Sequence, residues 1–129
     1  IKRILREHDA LDMTNAHGRE VKLDSARKRF RMLLERSVEE ILSNKTYERF
    51  NKNIHFKKGN LSSYIVTDQA DVDFLLSLFS KYSITEHDGG TATIPLLPSK
   101  NEIEQDVRSY SAWKDTFKDK LSILQRTYN

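Results

Sequence analysis

The chain has no cysteine, and only two prolines, four glycines and one tryptophan in 129 residues. Without cysteine there is no disulfide framework and no thiolate metal site, which fits a reducing, cytoplasmic setting. No apolar run approaches the roughly 20 residues of a membrane span, and no signal peptide is visible. The glycine-rich phosphate loops GxxxxGK[ST] and GxGxxG are both missing, which excludes nucleotide binding by those routes. HExxH and EF-hand patterns are missing too. His8, His17, His55 and His87 are scattered without metal-ligand spacing and read as surface residues. Neither a metal nor a cofactor is expected.

Charge is what the chain has in abundance, and it is unevenly spread. Residues 1–60 hold 15 Lys/Arg against 9 Asp/Glu, a net of +6, whereas residues 61–129 hold 7 against 10, a net of −3. Such a split suits either a half that faces nucleic acid or association between complementary surfaces. The length allows one domain, 1–129, with a modest core. The chain opens on Ile1 without a methionine, so a fragment of a longer protein is expected. Hydrophobic residues at 37% and charged residues at 32% suit a small helical domain with heavily solvated outer faces.

Hydrophobic spacing predicts the helices. In Asp24–Asn44, Ala26, Phe30, Leu33, Leu34, Ile41 and Leu42 recur every three to four positions, with Val38 filling the gap. Asp24 or Ser25 would cap this helix. A second helix is expected over Thr67–Tyr82, with Val72, Leu75, Leu76 and Phe79 inward and Asp68, Asp71 and Asp73 in its first turns. After Pro98, Ser99 and Glu102 form a capping-box signature. Ile103, Val107, Tyr110, Trp113, Phe117, Leu121 and Leu124 then make a seam that buries Trp113, within the domain or against a partner helix. Ile1–Leu11 reads as a shorter helix. Residues 51–66 read as a short irregular or hairpin insert, with Ile54-His55-Phe56 and Tyr64-Ile65-Val66 as arms around Lys57-Lys58-Gly59-Asn60. The fold class is therefore all-α: four to five helices in a bundle-like domain with one long C-terminal helix.

Three constellations could carry function. Between Lys45 and Lys58, the cations Lys45, Arg49, Lys52, Lys57 and Lys58 face only Glu48, with Tyr47, Phe50, His55 and Phe56 interleaved. Cations mixed with rings suit a phosphate backbone with unstacked bases, RNA above all; a solvated loop with its rings turned inward is the alternative. On the long helix, Arg27, Arg31 and Glu35 form one row, so Arg31 and Glu35 can touch. That pair is either an exposed helix salt bridge or a guanidinium for a phosphate beside a carboxylate for proton transfer. His87, in Ser83-Ile84-Thr85-Glu86-His87-Asp88 before two glycines, is either a polar helix end or a general acid–base group.

The runs Arg27–Phe50, Tyr82–Asp88 and Pro98–Trp113 together resemble the C-terminal region of bacterial SMC-like ATPases, some of them serving in phage defence as ATPase-linked anticodon nucleases. The likeness is one of order: a basic helix with an Arg/Glu row, an Arg-Phe step, an S-x-x-x-H-D loop, a Pro-led acidic helix and a Trp. It implies an ATPase core elsewhere in a longer protein. It also implies Arg31, Glu35 and His87 as the set for metal-independent RNA cleavage, matched by type and order. Nucleic-acid contacts are then expected from Arg27, Lys45, Arg49, Lys52, Lys57 and Lys58. The competing function is a non-catalytic helical docking or dimerisation module that meets a partner helix, an ATPase core or a second copy. If the basic half binds nucleic acid, charge reversal at Lys57 and Lys58 will weaken binding to all sequences alike and flatten its salt dependence. Binding assayed across a salt series, unmoved by that change, would exclude this loop as the contact surface.

Overall fold

The computed structural model describes residues 1–11, 15–43, 61–83 and 97–128. These are α-helical, with no strand among the described residues. The helices are α1 (Lys2–Ala10), α2 (Ala16–Ser37), α3 (Ser63–Val66), α4 (Gln69–Tyr82) and α5 (Lys100–Tyr128). A five-residue π-turn, Val38–Leu42, extends α2.

Helix α2 begins eight residues before the expected Asp24, because Asn15 rather than Asp24 or Ser25 is the cap. The Asn15 side chain accepts from the Gly18 amide at 3.0 Å. A Cβ at Gly18 would lie 2.7 Å from Asn15 Nδ2, so a larger residue there would push the capping amide aside. The early turns of α2 have no clean apolar stripe; their fixings to α1 are polar. Lys22 donates to Glu7 at 2.7 Å, and the Arg19 guanidinium donates to the Leu11 and His8 carbonyls at the end of α1. Asp24 pairs with Lys28 at 2.8 Å instead of capping. His8, read as a surface residue, is buried with Ile4 and Leu5 where α1 meets α2.

Phe30 is fully buried at the centre of the core. Tyr82 of α4 meets it edge-on at 4.7 Å and Tyr110 of α5 edge-on at 6.0 Å, both geometries that aromatic quadrupoles favour. Ala26, Leu34, Leu75, Leu78 and Ile103 complete this cluster. The Tyr82 hydroxyl donates to Asp106 at 2.7 Å, and that of Tyr110 shares a hydrogen bond with Ser37. Both rings can therefore be buried without leaving an orphaned polar group. Helix α3 lies against α5 and the π-turn. Its Ser62 and Ser63 are buried. Tyr64-Ile65-Val66, expected as a hairpin arm, belongs to this helix instead, and Tyr64 and Ile65 stand exposed; 51–60 lie outside the described residues.

Helix α4 is turned from the expected orientation. Its buried face is Asp71, Leu75, Leu78 and Tyr82, while Val72 and Leu76 are 45% and 60% exposed. The reason is Asp71. Its carboxylate closes a capping box with Asp68, accepts from Trp113 Nε1 at 2.9 Å and meets Lys120 Nζ at 2.9 Å. Burial pushes the Asp71 carboxyl up, but the Asp68 amide, Lys120 and Trp113 outweigh it and hold it below its ordinary value. Trp113 is consequently half-buried rather than core, stacked on Phe74 at 5.9 Å with its N–H on Asp71.

A carboxyl held low in the folded state contributes stability that is complete above its unfolded value, near 4, and is lost as pH falls through the folded value. Asp71→Asn should therefore lower stability by about 2 kcal/mol at pH 7, with the deficit against wild type shrinking toward pH 2. Thermal melts of both proteins across that range measure it.

Candidate functional site

The predicted Arg/Glu row is present on α2, and the structure gives its members different surroundings. Arg31 Nε lies 3.7 Å from Glu35 Oε1, with both side chains part-exposed. The Arg31 guanidinium also sits over the Phe79 ring of α4, 5.4 Å from its centroid, which adds a cation–π attraction of about 0.5–1 kcal/mol. Arg27, placed by the sequence among nucleic-acid contacts, is 8% exposed. Its Nε donates to the Pro98 carbonyl at 2.9 Å and its terminal nitrogen pairs with Glu20 at 2.7 Å. That guanidinium fixes the entry of α5 against α2. His87, Lys45, Arg49, Lys52, Lys57 and Lys58 lie outside the described residues.

Next to the Arg31–Glu35 pair runs an apolar groove between α2 and α4, about 370 Å³. Leu34, Val38 and Leu42 form one wall and Val72, Leu75, Leu76 and Phe79 the other, with Glu35 at the rim. The π-turn builds the first wall. An i→i+5 bond carries the Ser43 amide to the Val38 carbonyl at 2.8 Å, and Val38, where the turn begins, is 51% exposed. Two serine hydroxyls bracket the turn by bonding back to carbonyls four residues earlier, Ser37 to Leu33 and Ser43 to Glu39. The second wall is the face of α4 that the Asp71 network leaves uncovered. A further hollow lined by Val38, Leu42, Tyr64 and Thr67 adjoins the groove toward α3.

At the far end of α4, Lys81 bridges Asp106 at 2.8 Å and Glu102 at 3.0 Å, beside the Tyr82–Asp106 hydrogen bond. Burial acts against the Lys81 charge, and the two carboxylates outweigh it and raise its pKa. Burial and the Asp106 carboxylate raise the Tyr82 phenol as well, so both groups stay protonated donors.

The sequence reading missed the groove because it assigned Val38, Val72 and Leu76 to the core. The available signal was Asp71, which cannot share a buried face with Val72. Among the described residues, no three His, Asp or Glu side chains gather to hold a metal, and no helix is long and apolar enough to cross a membrane. No protein-family model, curated protein or solved structure matches the chain.

Proposed function

We propose that this chain is a helical docking module whose groove between α2 and α4 receives an amphipathic helix of a partner protein. The observation that carries this is the uncovered apolar stripe of α4, with Val72 and Leu76 exposed opposite an exposed Val38. A folded domain gains nothing by itself from leaving such a stripe in water, since covering each Leu or Val contributes about 1.5–3 kcal/mol. From Val72 to Phe79 the groove runs about 10 Å, two helical turns, which fits a partner helix with anchors at i, i+3 or i+4 and i+7. Arg31 and Glu35 at its edge present one charge of each sign to set the partner's register. The resemblance to SMC-like ATPases supports an ATPase body as the source of that helix. A 15-residue helical peptide with leucines in this spacing should shift the Val72 and Leu76 methyl resonances. Leu76→Asp, at an exposed position, should abolish the effect and leave the melting temperature nearly unchanged. Peptide shifts confined to other surfaces would overturn the reading.

A second reading keeps Arg31 and Glu35 for RNA cleavage with His87. It is favoured by the ion pair on a part-exposed face, where a phosphate can reach the guanidinium. Such chemistry uses the RNA 2′-hydroxyl as nucleophile and leaves DNA uncut. Arg31→Ala and His87→Ala should each abolish RNA cleavage in EDTA while circular dichroism stays native; wild-type protein without EDTA-resistant cleavage removes this reading.

A further inference from the structure

On the other flank of α2, a hollow of about 360 Å³ opens against α5, and its walls are cationic. Arg36 of α2 and Lys114 and Lys118 of α5 line it, with Glu40 as the one carboxylate. Arg36 already holds that carboxylate at 3.1 Å. Lys114 and Lys118, by contrast, have no ion-pair partner among the described residues. They stand one turn apart on the same row of α5, an arrangement of like charges that disfavours the isolated helix. At the floor, Ser37 and Tyr110 bond to each other and Ser37 to the Leu33 carbonyl, so the floor is closed and its polar groups are satisfied. The unmet electrostatic demand of the hollow comes from its lysines, and an anion would meet it.

The anion is one of a series. Val107 lies two turns before Lys114 and four residues further from Lys118, spacings that put all three on one flank of α5. Val107 lines the next hollow along that flank, which Lys2, Arg6 and Arg108 also frame. Its two carboxylates, Asp9 and Glu104, are both engaged by Lys100, at 2.8 and 3.2 Å. Lys2 and Arg6 again have no ion-pair partner among the described residues. The centres of Val107 and Lys114 are about 10 Å apart along the helix axis. Two cationic hollows at this separation suit a flexible ligand carrying repeated negative charge better than one small ion.

We infer that this flank of α5 is a phosphate-binding track for a single-stranded polynucleotide, with Lys114 and Lys118 holding one phosphate and Lys2, Arg6 and Arg108 another further along the strand. The track does not depend on the α2–α4 groove, since the two surfaces share no lining residue. The test is fluorescence anisotropy of the 129-residue chain with a labelled oligouridine of about 20 nucleotides, over a salt series. Each phosphate contact on a single strand contributes about 0.7 to the slope of log affinity against log salt. Lys114→Gln with Lys118→Gln should reduce that slope by about 0.7 and affinity about 5-fold at roughly 0.1 M salt. Leu76→Asp should bind as wild type, and the affinity should survive inorganic phosphate added at constant ionic strength. An unchanged slope in the double lysine variant overturns the inference, as does a wild-type protein that does not bind the oligonucleotide. Displacement by inorganic phosphate at constant ionic strength also overturns it, since the site would then be one for the free ion.

Discussion

Three helices depend on the seat of one phenylalanine. Phe30 has no contact with water, and the two rings that enclose it come from α4 and α5. Each enclosing tyrosine then ties its hydroxyl to a different element, Tyr82 to Asp106 of α5 and Tyr110 to Ser37 of α2. Hydrophobic burial supplies the attraction here, and the hydroxyls supply direction. A tyrosine that must bury its ring on Phe30 and also reach a set partner can sit at only one rotation of its helix. The orientations of α4 and α5 follow, and so does the way each presents its outer face.

Most of the fold was legible because amphipathic periodicity survives tertiary packing. Ala26, Phe30 and Leu34 on α2 and Ile103, Tyr110 and Phe117 on α5 are buried as their spacing requires. The Ser99 cap of α5 is also where the sequence puts it, with the Glu102 amide 3.3 Å from the hydroxyl. The illegible parts have specific physical causes. Helix α2 starts early because polar fixings to α1 replace an apolar stripe, and periodicity does not register salt bridges. Val38 continues the Phe30–Leu34 row at regular spacing yet is exposed, because spacing shows which residues share a row and not how far along it the neighbouring helices reach. Helix α4 is rotated because a buried, fully partnered carboxylate outcompetes a valine for the interior.

The candidate sites divide along the same line. Arg31 and Glu35 meet, as any pair four apart on a helix can. Arg27 shares their row, yet its side chain is spent on Pro98 and Glu20, a commitment visible only once α5 is in place. A sequence shows which residues share a face; whether that face is covered depends on how many helices compete for it. The α4 stripe and the α5 lysines are both products of that competition.

The bonds that join α2 to α5 link residues far apart in the chain. Arg27 reaches a carbonyl 71 positions on, and Ser37 a hydroxyl 73 positions on. Bringing such distant points together closes a large loop, and the entropic cost of closure grows only with the logarithm of its length. Doubling the intervening chain would add about 0.6 kcal/mol. The joint between the two longest helices is thus nearly indifferent to how much sequence separates them. Selection can lengthen, shorten or replace the connecting segments without loosening the frame that holds the groove and the lysine flank apart.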